Sequence, residues 1–88
     1  MPEGEVPEPE VLSLSALGWI LQDEQRAERL LSLTGLTPDR LRDAIEDRAV
    51  QVAILEFLTA HEPDLIAASV ALGVEPSDLV MAHAELLK

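Results

Sequence analysis

The sequence predicts a single all-α domain, a compact bundle of five or six short helices. Three observations favour this fold class. The chain has 88 residues and is 48% hydrophobic, which suits one small domain with one core. Its apolar residues repeat with helical spacing, and Gly, Pro and capping residues separate the repeats. No segment has the β-branched run and flanking turns of a strand.

The chain begins with a Pro- and Glu-rich segment, residues 1–9, which has almost no apolar side chains. Such a segment cannot offset the entropy lost on ordering, so we expect a flexible tail followed by one helical domain over residues 10–88. The first helix should begin near Pro9 and continue to about Gln22. Because only a narrow strip of it is polar, we expect this helix to be largely buried. The strip contains Ser15, Gly18 and Gln22.

Capping residues place the next two helices. Asp23 is a favourable N-cap for a second helix, which Gly35 should end. Thr37 should cap a third, short helix, with Pro38 at its first position. Helical periodicity predicts that one side of each helix faces the core: Ala27, Leu30, Leu31, Leu33 and Thr34 in the second, and Leu41, Ala44 and Ile45 in the third.

The longest and most apolar segment is residues 49–62, and we expect the bundle to be built around a central helix there. Its polar residues fall on one narrow strip, which indicates packing on several sides. The strip contains Arg48, Gln51, Glu56, Thr59 and Glu62. Pro63 disfavours helical dihedrals in the residue before it, so the helix should end at that point. Trp19 and Phe57 are the only aromatic residues, and we expect both in or near the same core.

Two further helices complete the chain. One should run over residues 63–72 and end at Gly73, and the last should begin near Pro76. The turn between them has the pattern G-apolar-x-P-x-x-L, which also occurs at Gly35. Each copy should end one helix on a left-handed glycine and start the next on proline.

Composition excludes several kinds of chemistry. The chain has no cysteine, which excludes disulfides, thiolate metal sites and a thiol nucleophile. Its formal net charge of −11 repels nucleic-acid backbones and anionic membranes. The apolar segments are too short to span a bilayer, and the acidic start does not resemble a secretory signal. We therefore expect a soluble, cytoplasmic protein with no membrane or nucleic-acid partner.

Residues 66–79 have the spacing of a DNA-binding helix-turn-helix, including the alanine and the turn glycine. The helix that would read DNA begins at Pro76 and carries Asp78 and Glu85, with no basic residue before Lys88. Base readout and phosphate contacts both need donors that this helix lacks. Helix-turn-helix DNA binding is therefore only a remote alternative.

The five arginines lie between residues 25 and 48, which raises the alternative of an anion site. Acidic residues alternate with them, however, at helical spacing that favours surface ion pairs. The expected pairs are Asp23 with Arg26, Asp39 with Arg42, and Arg42 with Glu46.

The two histidines are the residues whose chemistry is most often catalytic or metal-binding. We expect His61 at the C-terminal end of the central helix, where the helix dipole favours a cation, and His83 on the apolar side of the last helix. Neither has a second ligand at coordination spacing or a nucleophile in a recognisable motif. We therefore expect structural roles and predict no catalytic, cofactor-binding or metal-binding residues. A small enzyme based on His61 and Glu62 remains as the catalytic alternative.

Apolar surface is then the best candidate for function. We expect a non-enzymatic interaction module that binds a protein partner or a second copy, as in a homodimer. The candidate face is on the last helix and contains Leu79, Val80, His83, Leu86 and Leu87. The same residues would alternatively be core. A second hypothesis is an acidic regulator that docks onto a basic surface of another protein.

Three short motifs resemble, in the same order, a family of small bacterial proteins classed as a domain of unknown function. They are Ala16-Leu17-Gly18-Trp19, Leu33-Thr34-Gly35-Leu36, and Phe57-Leu58 with Ala60-His61-Glu62-Pro63. The resemblance covers nearly the whole chain from about Val11. It implies a small helical domain with no established activity, and it carries no catalytic residues onto this sequence.

Overall fold

A computed structural model describes residues 6–88 of the chain, and within this range the secondary structure is six helices and no strands. The helices are α1 (Pro9–Leu21), α2 (Glu24–Thr34), α3 (Pro38–Asp43), α4 (Arg48–Thr59), α5 (Glu62–Leu72) and α6 (Pro76–Leu87). The predicted all-α fold class is confirmed. Of the predicted tail, the first five residues lie outside the described range, and Pro9 is already helical.

Local capping explains where most helices begin and end. The Asp23 carboxylate accepts hydrogen bonds from the N–H groups of Gln25 and Arg26, and the Thr37 hydroxyl accepts one from Arg40 N–H. Both predicted N-caps are therefore confirmed. Gly35 and Gly73 have positive φ angles of 72° and 71°, a conformation that side chains disfavour. The repeated turn pattern thus produces the same helix ending twice.

The central segment divides differently from the prediction. Helix α4 ends at Thr59 rather than Glu62, and His61 is the N-cap of α5. The proline ring explains this difference, because the ring of Pro63 would clash with the Thr59 carbonyl in a continuous helix. At the other end of α4, Asp47 caps the helix with a bond from Ala49 N–H, so the break after α3 needs no Gly or Pro.

Helix α4 packs against α1, α2, α5 and α6, and α1 and α6 also pack against each other. The core formed at these contacts contains Leu12, Ile20, Leu30, Ile54, Leu55, Leu58 and Leu79, all almost without solvent exposure. Phe57 is buried with them and Trp19 packs against the core, as predicted. The fold measures 36 × 25 × 21 Å over the described residues.

Two predicted orientations are wrong. Leu33 was expected to face inward, but it is 75% exposed, because α2 buries only the side that contains Leu30. Gln51 was expected on the polar strip of α4, but it is buried. Its amide group donates a hydrogen bond of 3.1 Å to the Ile45 carbonyl, so the burial of this polar side chain is compensated.

No single helix within residues 6–88 is both long enough and apolar enough to cross a membrane. Helices α5 and α6 reach the required length only when they are counted together, and they meet at 103°.

Candidate functional site: an apolar groove beside α1

Helix α1 is mainly apolar, yet the rest of the protein covers only its inner side. That side carries Leu12 and Ile20, which are buried against the other helices. The outer side carries Val11, Leu14 and Leu21, whose side chains are 40 to 50% exposed, beside the polar strip predicted from the sequence, which is exposed as well. A helix with so narrow a polar strip normally packs on several sides. The prediction that α1 is largely buried is therefore correct only for its inner half.

The outer side of α1 continues into a groove of about 360 Å³ between α1, α2 and α3. Seven of its eight lining residues are apolar: Leu17, Leu21, Ala27, Leu31, Pro38, Leu41 and Ile45, with Arg42 as the eighth. This volume is at the lower end of the range for ligand pockets, roughly 300 to 1,000 Å³. We refer to these residues as the apolar groove.

Polar contacts of Arg26 join α1 and α2, the helices that form two walls of the apolar groove. The Arg26 guanidinium lies 3.7 Å from the centre of the Trp19 ring and donates a 2.7 Å hydrogen bond to the Trp19 carbonyl. The same group approaches the Asp23 carboxylate at 4.0 Å. These contacts join the end of α1 to the start of α2.

At this junction, the pKa of the Asp23 carboxylate is shifted from its ordinary value. The hydrogen bond from Arg26 N–H lowers the pKa of Asp23 below its ordinary value, and the nearby arginine charges act in the same direction. The carboxylate therefore stays ionised, and its negative charge lies at the positive end of the α2 dipole.

The third wall is formed by α3 and the connection to α4. Pro38 is at the first position of α3, where its fixed φ suits the helix and its missing N–H costs nothing. Leu41 is buried beneath the groove, and Ile45 is held by the bond from Gln51 to its carbonyl. The apolar groove is thus built from capped helices and buried anchors.

The structure separates the five residues of the predicted face on α6. Leu79 and Leu86 are buried in the core of the protein itself, so these two cannot contact a partner. Val80 and Leu87 are exposed, and His83 is partly buried with its Nε2 atom unpaired. Apolar periodicity could not distinguish these two sides, because the side of α6 next to the core is apolar as well.

His61 does not lie at the end of a helix as expected; it precedes α5. Its Nδ1 atom lies 2.9 Å from Oδ2 of Asp64, and the Arg29 guanidinium donates to the same oxygen at 2.9 Å. Asp64 is buried, and its two partners are Arg29 in α2 and His61, the N-cap of its own helix α5. Sequence reasoning paired His61 with Glu62 and missed Asp64, although an acidic residue at the third position of a helix is a capping signal. These contacts link α2 to α5.

The arginines mostly have protein partners. Arg26 lies near Asp23, and Arg42 lies 3.8 Å from Asp39, as predicted. The expected pair of Arg42 with Glu46 does not form. Arg29 instead makes the long-range pair with Asp64 and stacks over the Phe57 ring at 5.1 Å. These pairs support a structural role for the arginines over an anion site.

Two alternative kinds of site gain little from the geometry. Residues 6–88 contain no group of three or more His, Asp or Glu side chains that could hold a metal ion. Helices α5 and α6 do meet at 103°, within the range of a helix-turn-helix. The exposed positions along α6, however, carry Ser77, Val80, Met81 and Glu85 rather than basic donors.

The fold and the groove together define a small helical domain with an open apolar face. Residues 7–88 match the family described as "Protein of unknown function (DUF3572)". Because the match covers nearly the whole chain, this protein belongs to that family, and the predicted resemblance is confirmed. Comparisons with curated proteins and with solved structures found no match.

Proposed function

We propose that this protein is a non-enzymatic interaction module, and that it binds the apolar side of a helix in the groove between α1, α2 and α3. The observation that carries the proposal is the uncovered outer side of α1 next to a groove whose lining is almost entirely apolar. The bound helix comes either from another protein or from a second copy. The expected compartment, the bacterial cytoplasm, stays a prediction.

The arrangement suits helix recognition in particular. Amphipathic helices bind by placing apolar residues of one side into a hydrophobic groove. Here Leu21 and the half-buried Leu31 and Ile45 line the groove. The exposed Leu14 precedes Leu21 by seven residues, about two turns, and so lies on the same side of α1. A partner helix would exclude water from all of these residues. Burial of apolar surface contributes roughly 25 cal/mol per Å² before the costs of association.

A second copy of the chain is the simplest occupant. The outer side of α1 is itself an apolar helix face, so two copies related by a twofold axis would each place α1 against the other's groove. The residues that lie in the contact would then be the same on both copies. This arrangement moves the predicted self-association face from α6 to α1.

The test is size-exclusion chromatography with light scattering on the full chain and two variants. Leu21→Glu places a charge on the rim of the apolar groove, and Leu87→Glu places one on the exposed side of α6. Both residues are at least half exposed, so neither change should unfold the protein. We expect a dimer that dissociates with Leu21→Glu and persists with Leu87→Glu. A dimer that dissociates only with Leu87→Glu would contradict the proposal that the apolar groove forms the dimer contact.

If the wild-type chain is a monomer, the occupant is another protein, and photo-cross-linking decides the face. A photoreactive residue in place of Leu21 should form a cross-link to a helix of one partner, whereas the same residue in place of Leu87 should not. Cross-links from both positions alike, or from neither, would rule out the groove as the binding face.

A further inference from the structure

A second surface with exposed apolar side chains lies where the start of α1 and the turn between α5 and α6 meet α6, and it differs from the apolar groove in its charge. Two hollows of about 290 and 400 Å³ meet at Val6 and Asp78. The first lies between the start of α1 and α6 and contains Met81; the second lies at the turn between α5 and α6 and contains Val70. Val6, Val70 and Met81 are all exposed, and Val70 is 76% exposed. None of these residues lines the apolar groove.

Carboxylates surround these three apolar side chains. Glu8, Asp78 and Glu85 line the first hollow, and Glu75 and Asp78 line the second. We call the three apolar residues together with Glu8, Asp78 and Glu85 the acid-rimmed surface. Its nearest compensating charge is Lys88, whose ammonium group lies 3.0 Å from the Glu85 carboxylate.

Most positive charges of the protein lie away from this surface. Four of the five arginines are on α2 and α3, and the guanidinium of Arg48 donates to the Lys88 carbonyl at the end of α6. Among residues 6–88, no Lys or Arg lines either hollow. The acid-rimmed surface therefore combines apolar contact area with a negative rim in which Lys88 offsets only the charge of Glu85, and the net charge of −11 adds to its attraction for cations.

We propose that the acid-rimmed surface binds a basic segment of another protein, in which Lys or Arg residues flank apolar side chains. The apolar side chains would occupy the two hollows, where the flexible Met81 side chain can adapt to different shapes. The basic side chains would pair with the carboxylates on the rim. This surface gives the expected acidic regulator a location, and it does not depend on the apolar groove.

A second copy of the chain does not suit this surface. A twofold contact would bring Glu8, Asp78 and Glu85 against the same residues of the other copy, and like charges in an interface cost several kcal/mol. Nucleic acid is repelled for the same reason. The charge thus selects a basic partner of a different kind.

The experiment uses the full chain and a labelled peptide of about 14 residues, patterned with Lys and Leu as an amphipathic helix. Fluorescence anisotropy measures its affinity, and the same peptide with Glu in place of Lys is the control. Reversing two charges with Glu8→Lys and Glu85→Lys should weaken binding about tenfold or more. The matched control, Glu28→Lys with Glu46→Lys, makes the same change in net charge on exposed residues away from this surface and should have little effect.

A second matched pair of variants tests the contribution of apolar contact to peptide binding. Val70→Ser should weaken binding about fivefold through lost apolar contact. Leu33→Ser should leave binding unchanged, although Leu33 is 75% exposed and Val70 is 76% exposed. Equal effects of the two charge pairs, or of the two serine variants, would show unspecific attraction and overturn the proposal.

The two proposals fail separately in this assay. If Leu21→Glu abolishes peptide binding while Val70→Ser does not, the peptide uses the apolar groove, and the acid-rimmed surface is wrong. If the basic peptide binds no better than the acidic one, the acid-rimmed surface also fails, but the groove remains to be judged by its own variants.

Discussion

Helices α1 and α4 are both mainly apolar, but the protein uses them differently. Helix α4 has neighbours on several sides, and its large apolar residues Ile54, Leu55, Phe57 and Leu58 are all buried. Helix α1 has the same kind of composition, but Val11, Leu14 and Leu21 remain exposed. The number of helices around each one makes the difference. Apolar residues that a fold leaves uncovered are the ones available to a partner.

The largest expected loss of stability comes from a substitution in α6, the helix that covers the inner side of α1 and also packs on α4. Leu86→Glu should unfold the protein, because Leu86 is almost fully buried and an unpaired charge there costs about 5 kcal/mol or more. Far-UV circular dichroism and urea unfolding measure this loss. Leu87→Glu is the control, since the neighbouring side chain is exposed and the variant should stay folded. A folded Leu86→Glu protein would mean that α6 does not form the core.

The next largest effect is expected when a leucine in α4 and a leucine in α1 are each replaced by alanine. Leu55→Ala in α4 should lower the free energy of unfolding by about 2 to 5 kcal/mol, because it leaves a cavity in the core. In the monomer, where nothing covers its side chain, Leu21→Ala on the outer side of α1 should cost less than about 1 kcal/mol. Urea titration of both variants, at protein concentrations where light scattering shows only monomer, gives the two values. Equal costs in the monomer would mean that other parts of the protein cover the outer side of α1.

The smallest expected effect concerns the junction that joins α1 to α2. The pKa of Asp23 is lowered in the folded protein, so its stabilising contribution is present above about pH 4 and decreases as pH falls through the lowered pKa. Asp23→Asn keeps a capping oxygen but removes the ionisation. The variant should be slightly less stable than wild type at neutral pH, and this difference should disappear in acid.

Thermal unfolding of both proteins across this pH range tests the prediction. Asp43→Asn controls for the loss of one exposed carboxylate that accepts no bond from a helix N-terminus. A wild-type advantage that persists unchanged in acid would show that the Asp23 charge does not stabilise the cap.

The sequence predicted the fold class and most helix boundaries because these depend on local signals. Asp23, Thr37, Gly35 and Gly73 act through their own backbone or through groups a few residues away, and the structure confirms each of them. The end of α4 was predicted less well. There the Pro63 clash with a carbonyl four residues earlier mattered more than apolar periodicity.

The candidate site was harder to predict because it depends on which helices are neighbours. The apolar groove joins residues from three helices, and no pattern within one helix shows that Leu14 and Leu21 lack a cover. The same limitation placed Leu79 and Leu86 on the predicted face of α6 when they are core. The bond network of Arg29, His61 and Asp64 was also missed, since Arg29 and Asp64 are 35 residues apart.

The position of α6 in the chain has a consequence for biosynthesis. The inner sides of α1 and α4 both pack against α6, through residues that include Leu79 and Leu86. Synthesis proceeds from α1 towards α6, so for most of translation α1 and α4 have no complete core to enter. The nascent chain therefore exposes apolar side chains on both the inner and the outer side of α1, whereas the folded protein exposes them only on the outer side. Protection of the nascent chain from aggregation is therefore needed until α6 has left the ribosome.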